Sequence, residues 1–415
     1  MNKNERDFIE LVKRAIRKEY KDDGYFDETD WDEIYEFSIS NGFVAFLYDT
    51  VKGQKSLPEE KRVTWDRNKF AIYVRETRNL YSLNKVLEQV TQAGIDYALF
   101  KGPIIADCYP NFSYRNSSDS DVFVDESDKQ AASDIIFGLG YEKIDQKSNS
   151  QVTYFRNAEV GHAIELHTCL FEHYEGEKIS ILKGLELESP DKRIDYEVNG
   201  YTFRTLGVNE HLVFQFFHLI KHFVLEGASV RFFSDITLFV NKNLENINPD
   251  YFWECMGKLN YVDFCENFLT ICIDYFSMDA SIMNGHKCKA SQEVLEALIV
   301  DYIYKGDKDK KRKKDWQLLG TMRPYLVGQN TAIKKSKFER ILHYIFIKPS
   351  ELNKSYSYAK KMPILLPIAW IHRALKRIFL PIFYRKNITY TGMEKVDLVE
   401  DKLNLLASVG IIDKE

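Results

Sequence analysis

Apolar residues recur at helical spacing along the first part of the chain. Phe8 and Val12 are one turn apart on one stripe, and Leu83 and Leu87 are one turn apart on another. An apolar stripe that repeats every three to four residues is typical of helices that pack on a core. The pattern therefore predicts a helical region over residues 5–95.

From Ala93 onward the apolar pattern shortens and changes period. Gly94 ends the last helix, and Tyr97 to Phe100 form a short apolar run typical of a buried strand. The pattern predicts strands and helices in alternation: strand 96–100, a helix near 103–109, strand 120–125, helix 127–139, strands 152–156 and 162–168, and a hairpin near 196–205 that turns at Asn-Gly. Helical periodicity then returns for most of residues 208–304.

These elements predict an α+β fold, in which a small mixed β-sheet follows N-terminal helices and precedes a larger helical domain. The predicted regions are an N-terminal helical region at 1–92, a sheet domain at 93–205, a helical domain at 206–345 and a C-terminal tail at 346–415 that packs on the helical domain. A chain of 415 residues is two to three times the usual size of one domain, which agrees with this division.

Composition and charge exclude several classes of protein. Hydrophobic residues make up 45% of the chain, which excludes global disorder. The net charge of −5 provides no overall positive field for non-specific nucleic-acid binding. The six cysteines include no Cys-x-x-Cys pair, and the charged, amphipathic start does not resemble a secretory signal. We therefore expect a cytoplasmic protein.

Two segments leave alternatives open. The basic run 305–314 is interpreted as a solvated linker, with RNA binding as the alternative. The apolar run 362–371 is too short for a membrane span and contains two prolines. Because prolines break the basic and apolar tail around it, we expect packing on the helical domain, with peripheral membrane contact as the alternative.

Two aspartates at the head of a strand are the strongest chemical signal. Asp119 and Asp121 are separated by one residue, while Val122 and Val124 take the opposite face, so both carboxylates are expected on one side, about 6–7 Å apart at their roots. Two like charges at that spacing raise at least one pKa unless a cation compensates them. A divalent cation that also binds phosphate removes the conflict. The pair therefore predicts metal-dependent phosphate chemistry.

A third acid is expected on a neighbouring strand. In the run HAIELHTCLF, Glu165 and His167 share one face, whereas Ile164 and Leu166 share the other. Glu165 is therefore predicted to complete the metal site with the two aspartates and to help deprotonate the acceptor. His167 is interpreted either as a nucleotide contact or as a core histidine bonded to backbone.

Phosphate donors are expected near the first strand. Lys101 and Gly102 end that strand where a helix begins at Pro103, an arrangement that brings backbone N–H groups and a positive helix end toward an anion. Arg115 lies four residues before Asp119 and can bind phosphate through two parallel hydrogen bonds. Lys101, Gly102 and Arg115 are therefore predicted nucleotide-phosphate contacts.

These motifs together resemble a known family. The stretches KGPIIADCYPN, RNSSDSDVFV and IELH are similar to the DNA polymerase beta-type nucleotidyltransferase superfamily, and more closely to its bacterial family of uncharacterised nucleotidyltransferases. The helical stretch 216–240 and the Leu-Leu-Pro segment near 365 are similar to that family as well, so the resemblance spans roughly residues 75–375. The sequence departs from the family's pattern at Ser118, where a glycine is usual, and at Pro103, which lacks an N–H donor.

The resemblance implies an activity and a set of roles. It implies transfer of an NMP from an NTP, with ATP among the candidates, to a small molecule, a protein or a tRNA, with release of pyrophosphate. Asp119, Asp121 and Glu165 would hold two Mg²⁺ ions, or Mn²⁺, and His222, Arg231 and Asp235 would lie on the acceptor side. The alternative function is a catalytically degenerate protein that binds nucleotides or assembles partners, and Ser118 and Pro103 are the departures that favour it.

Overall fold

A computed structural model gives the fold for most of the chain. It describes residues 1–117, 119–149, 151–171, 176–225, 227–305, 358–359, 362–372 and 392–412. Residues 306–314 of the basic run, Ser118 and much of the C-terminal tail lie outside these ranges, so the expectations that fall on them stay predictions.

Four helices precede the sheet: α1 (Lys3–Arg17), α2 (Trp31–Asn41), α3 (Val44–Val51) and α4 (Glu59–Gln92). Local chemistry fixes where they begin and end. Asn2 and Glu5 form a capping box at the start of α1, and the Asp30 side chain accepts from the first amides of α2. Gly42 ends α2 at φ 74°, a conformation that glycine adopts without a steric penalty.

Seven strands form one mixed sheet: β1 (Tyr97–Phe100), β2 (Ser120–Val124), β3 (Glu142–Lys143), β4 (Val152–Asn157), β5 (His162–His167), β6 (Arg193–Val198) and β7 (Tyr201–Leu206). Their order across the sheet is β3-β4-β5-β2-β1-β7-β6. The pairs β2–β5 and β1–β7 are parallel, and the other neighbouring pairs are antiparallel. Two central strands, β5 and β2, therefore run side by side in the same direction.

In the described part of the chain, the helices within and after the sheet include α5 (Gly102–Ala106), α6 (Lys129–Gly138), α7 (Gly176–Lys183), α8 (Val208–Leu225), α9 (Arg231–Asn243), α10 (Pro249–Lys258), α11 (Val262–Phe276), α12 (Gln292–Ile303) and α13 (Gly392–Ser408). The expected α+β class is confirmed: helices, then a mixed sheet, then more helices. Helix α13 is held to α12 by the ion pair of Lys402 with Asp301, at 3.1 Å.

The two faces of the sheet belong to two different apolar cores. Val122, Val124 and Ile164 pack with the second half of α4 and with α6. Phe100 and Phe123 point the other way, into a larger core that contains the N-terminal helices and helices α8–α12. Because successive side chains of a strand point to opposite faces, Asp121, Glu165 and His167 leave the sheet on the side of α8. Ser120 and His162 lie on the opposite face.

Several element boundaries differ from the sequence-based expectations. The helix predicted near 103–109 begins at Gly102 and ends at Ala106. The two-residue strand β3 was not predicted, because two exposed residues have no apolar period. The hairpin is confirmed: Asn199 and Gly200 have φ of 50° and 83°, as a tight two-residue turn requires. No helix in the described ranges has both the length and the apolar character needed to cross a membrane.

Candidate active site

Two carboxylates meet where β2 and β5 lie side by side. Asp121 is the direct cross-strand partner of Glu165 in the parallel register, so the two side chains leave the same face of the sheet. Asp121 is nearly fully buried, whereas the Glu165 side chain is 28% exposed. The predicted meeting of these two acids is therefore present in the fold.

His167 joins the two acids from the same strand as Glu165. Its Nε2 lies 3.2 Å from Asp121 Oδ1 and 3.4 Å from Glu165 Oε2. One donor atom from each of the three residues lies within 4.8 Å of the others, which makes them a group able to hold a metal ion. The edge of the Phe100 ring contacts the His167 ring at a centroid distance of 5.1 Å and helps to fix its orientation.

Lys101 supplies the positive charge closest to Asp121. Its Nζ lies 2.7 Å from Asp121 Oδ1, and only 14% of its side chain is exposed. Burial alone would raise the pKa of Asp121, but the Lys101 ammonium and the His167 imidazole outweigh burial and hold that pKa well below its usual range. Asp121 is therefore a carboxylate at neutral pH, which is the form that binds cations.

The backbone around Lys101 has an unusual conformation. Lys101 has φ 60° and ψ −136°, a region that residues with a Cβ rarely occupy, and Gly102 follows at φ 37°. The Lys101 N–H donates to His211 Nε2, at 3.2 Å, across 110 positions of the chain. Burial first, and then the charges of Arg115 and Lys101, lower the pKa of His211 to about 3, so its ring stays neutral and accepts this bond.

Asp119 lies one residue before β2 and is half-buried. It is not a member of the metal-binding group that Asp121, Glu165 and His167 form in the described part of the chain. Its charge acts on Arg231 from α9. The role of Asp119 as a metal ligand beside Asp121 stays a prediction.

Arg115 pairs with an acid and is not free to bind a ligand in this structure. Its Nε and Nη2 lie 3.0 Å from the two oxygens of Asp235, and Tyr109 donates its hydroxyl to the same carboxylate at 2.7 Å. Burial disfavours the charged guanidinium, but Asp235 outweighs it and raises the pKa of Arg115. The bidentate geometry predicted for phosphate is thus occupied by Asp235, which was itself predicted on the acceptor side.

The other residues predicted on the acceptor side come from α8 and α9. Arg231 donates through Nη1 to the carbonyl of Asn116 at 2.6 Å, and its Nε is 3.9 Å from Asp235 Oδ2. The ring of His222 lies 4.3 Å from that of His218, and both rings contact Phe232. Burial first, and then the charge of Lys101, hold the pKa of His218 well below its ordinary value, so its ring is neutral at pH 7.

A small cavity lies behind Asp119, on the side of α4. It has a volume of about 20 Å³ and its lining includes Glu76, Asn79, Ser120 and His162. This volume accommodates about one water molecule. The cavity is therefore too small to be the binding site of a nucleotide.

Sequence reasoning missed two residues of this region. His211 and Tyr109 each contact a predicted site residue, Lys101 and Asp235 respectively. Each contact joins positions more than a hundred residues apart, and no local pattern reports such a contact. The sequence offered only the general expectation that a histidine or tyrosine that becomes buried needs a hydrogen-bond partner.

The chain is similar to known proteins in sequence and in structure. The model of a family described as uncharacterised nucleotidyltransferase matches residues 27–277, which include Asp121, Glu165 and His167. Among solved structures, the chain is similar to an antigenic nucleotidyltransferase-like protein from Paracoccidioides brasiliensis, with 13% identity and a TM-score of 0.33. That match covers 51% of this chain and 97% of the other. A comparison with curated proteins finds no match.

Proposed function

This chain belongs to the family of uncharacterised nucleotidyltransferases, and from that premise we propose that it transfers a nucleoside monophosphate from an NTP to an acceptor hydroxyl or phosphate. Pyrophosphate is the leaving group. The acceptor is a small molecule, a protein or a tRNA.

The observation that carries the proposal is the meeting of Asp121, Glu165 and His167 on two adjacent central strands. Two carboxylates in direct cross-strand contact repel each other unless a cation lies between or beside them. Their neighbourhood also contains a lysine, Lys101, whose ammonium compensates one negative charge. The two carboxylates favour a bound cation, and the ammonium group of Lys101 can bind phosphate. This combination suits chemistry on a metal-bound triphosphate.

The donor set fits a divalent metal ion. Carboxylate oxygens of Asp121 and Glu165 and the Nε2 atom of His167 are ordinary ligands of such ions, and they lie within 4.8 Å of one another. When bound, the ion supplies charge neutralisation for the phosphates and for the attacking and departing oxygens. Asp119 would add a carboxylate from the loop that precedes β2.

The remaining side chains orient and neutralise the reacting groups. Lys101 binds the phosphates of the NTP through its ammonium group, and the backbone at Gly102 allows their close approach. Glu165, the most exposed of the three ligands, holds the acceptor and takes up its proton. Arg231 and His222 lie on the helical side, where the acceptor enters, while Arg115 and Asp235 act by fixing the loop that leads to Asp119.

Label transfer from an NTP labelled at the α-phosphate tests this function. The purified protein is incubated with each labelled NTP, a divalent metal ion and a cell extract, and the labelled product identifies the acceptor. We expect Asp121→Asn and Asp119→Asn to lower transfer by about 10²–10³-fold or more. Asp195→Asn, which changes an exposed residue of the edge strand β6, is the matched control and should transfer label like the wild type.

Two outcomes would count against the proposal. Full transfer by both aspartate variants would separate the activity from these carboxylates. Calorimetric binding of an NTP without label transfer to any acceptor would favour the catalytically degenerate nucleotide-binding protein instead.

A further inference from the structure

The spacing of the donor atoms at His167 matches that of ligands around one ion. Two ligands at right angles, each about 2.1 Å from a metal ion, lie about 3.0 Å apart. His167 Nε2 lies 3.2 Å from the Asp121 oxygen and 3.4 Å from the Glu165 oxygen. Small side-chain adjustments therefore convert the observed cluster into a coordination sphere with His167 as a member.

A hydrogen bond alone accounts less well for this position. A single N–H on Nε2 directs its hydrogen toward one acceptor, but two carboxylate oxygens lie at nearly equal distances from it. A lone pair directed at a cation between the two carboxylates satisfies all three groups at once. The contact of the His167 ring with Phe100, at 5.1 Å, holds the imidazole in that orientation.

The chemistry of the donor set then selects among metals. Mg²⁺ prefers an octahedron of oxygen ligands and is bound mainly through carboxylates, phosphates and water. Imidazole nitrogen is an ordinary ligand of first-row transition metals, and Mn²⁺ belongs to that series while sharing the preference of Mg²⁺ for carboxylate oxygen. A site in which one of three protein ligands is nitrogen therefore discriminates against Mg²⁺.

We propose that His167 is a metal ligand and that the site formed by Asp121, Glu165 and His167 takes a first-row transition metal ion such as Mn²⁺ in preference to Mg²⁺. This inference rests on the proposed function only for what the bound metal ion does in the reaction. It gives His167 a role other than the two that the sequence left open, a nucleotide contact or a core histidine. It also makes His167 the residue that determines which metal the site selects.

Mn²⁺ itself is the probe, because it is paramagnetic. Electron spin-echo envelope modulation of the Mn²⁺-loaded protein, without nucleotide, should show ¹⁴N coupling from a directly bound imidazole. Labelling the protein with ¹⁵N-histidine should replace that coupling by a ¹⁵N coupling, which separates histidine from the nitrogen of Lys101. Because this measurement uses the wild-type protein, it does not depend on the folding of any variant.

His167→Gln tests the assignment to one residue, and His162→Gln is the matched control. His162 lies on the same strand, but its ring contacts Ser120 and Tyr141 on the opposite face of the sheet. We expect the nitrogen coupling to disappear in His167→Gln and to persist in His162→Gln. Mn²⁺ affinity should fall by at least about tenfold in His167→Gln, the scale of loss seen when only the hydrogen-bond partner of a ligand is removed, while Mg²⁺ affinity changes less.

The results that overturn the inference are distinct from those that overturn the function. Absence of Mn²⁺ binding, absence of nitrogen coupling, or coupling that persists in His167→Gln would each show that His167 is not a ligand. Equal affinity of the wild type for Mg²⁺ and Mn²⁺ would overturn the selectivity. Histidine-coordinated Mn²⁺ in a protein that transfers no label would instead refute the proposed function and leave the metal site standing.

Discussion

Lys101 is held through its side chain by a residue of β2 and through its backbone N–H by a residue of α8. Its ammonium lies 2.7 Å from Asp121, and its backbone N–H donates to His211 on α8. The backbone at φ 60° is not one that a lysine adopts by preference, so these contacts must offset the conformational cost. The position of the ammonium therefore depends on His211 as well as on the strand that carries it.

Replacing His211 tests this dependence. In His211→Leu, the amide of Lys101 loses its acceptor, which should destabilise the fold by about 1–3 kcal/mol. In the label-transfer assay we expect a higher KM for the NTP with a smaller change in kcat, because the phosphate-binding ammonium is no longer held in place. His211→Gln, which returns an acceptor at a similar distance, should recover most of the KM. Identical kinetics for the Leu and Gln variants would contradict a positioning role.

His162 couples the fold to pH. Burial lowers its pKa to about 4, and its two ring nitrogens contact Ser120 and Tyr141 at 3.0 and 2.7 Å. The unfolded chain binds a proton at an ordinary histidine pKa near 6.5, whereas the folded chain does not until about pH 4. The free energy of unfolding should therefore fall as the pH drops from about 6.5 to about 4, by about 1.4 kcal/mol per pH unit for this group.

Urea denaturation at a series of pH values measures that slope. His162→Gln should unfold with a shallower dependence on pH than the wild type between pH 6.5 and 4, because the variant lacks the group that the unfolded chain protonates. Above about pH 7.5 the two curves should run parallel, since His162 is neutral in both states there. Equal slopes at acidic pH would show that His162 does not carry the effect.

At the residue scale, local periodicity predicted the meeting of Asp121 and Glu165 but not the partner of Arg115. Strand alternation is a property of a few consecutive residues, so the face that each acid occupies follows from the sequence. The partner of Arg115 does not follow from it, because Asp235 is 120 residues away and reaches Arg115 only through the packing of α9. The sequence alone does not distinguish an arginine that is free from one that is paired with an acid.

Among the elements, helix α9 fixes the loop between α5 and β2. Asp235 of α9 accepts two bonds from Arg115 and one from Tyr109, and Arg231, one turn earlier, donates to the Asn116 carbonyl. The loop that leads to Asp119 is therefore bound to the helical region by charge-assisted hydrogen bonds, which are among the stronger polar contacts in proteins.

Breaking this contact should destabilise the protein strongly. Asp235→Asn removes the charge that compensates the buried Arg115, and losing one partner of a buried pair costs about 3–5 kcal/mol. Chemical denaturation monitored by circular dichroism measures the difference. Asp195→Asn, which breaks an exposed pair with Arg204 at 3.5 Å, is the matched control and should change the stability by about 1 kcal/mol or less. A small effect in Asp235→Asn would leave Arg115 available for phosphate.

At the element scale, long periodic segments were predicted better than short or interrupted ones. The strands β2 and β5 and the hairpin β6–β7 lie close to their predicted bounds, because alternation and an Asn-Gly turn are strong local signals. The predicted helical region 5–95 contains four helices, whose ends its apolar stripes did not predict. The helices are separated by the residues after Arg17, by Gly42 and by the residues before Pro58. Short α5 ended early for lack of a repeating apolar stripe.

The larger of the two cores contains residues from the N-terminal helices and from the last described helix. Residues of α1, such as Phe8 and Leu11, belong to the same apolar cluster as residues of α8–α12 and Leu406 of α13. Polar contacts follow the same route: Asn41 of α2 donates to the Ile303 carbonyl at 3.1 Å. The N-terminal helices are therefore part of the support of the helical region, and they are not an independent appendage.

Phe8→Ala tests this sharing of the core. Phe8 is fully buried between Phe37 and Phe43, and truncation of such a ring costs about 3–5 kcal/mol. We expect calorimetry to show one transition at a lower temperature, with buried Trp65 and Trp253 reporting the same midpoint. Phe70→Ala, at a site 66% exposed, should change the stability by less than about 0.5 kcal/mol. Separate midpoints for the two tryptophans would contradict a shared core.

At the scale of the whole molecule, the fold class was predictable from the sequence but the sharing of the core was not. Alternating and helical periods identify a sheet between two sets of helices, and they report which face of each element is apolar. They do not report which of those faces meet, because many pairings bury a similar apolar area. The division into four domains stays a prediction.

The position of the acids within the sheet affects how much change the fold tolerates. Counted across the seven strands, β5 is third and β2 is fourth, so each acid-bearing strand has a paired neighbour on both sides. The two outermost strands are β3, which has two exposed residues, and β6. Insertions, fused segments or an eighth strand added at either border would leave the Asp121–Glu165 register unchanged. The margins of this sheet can therefore be elaborated while its centre stays constant.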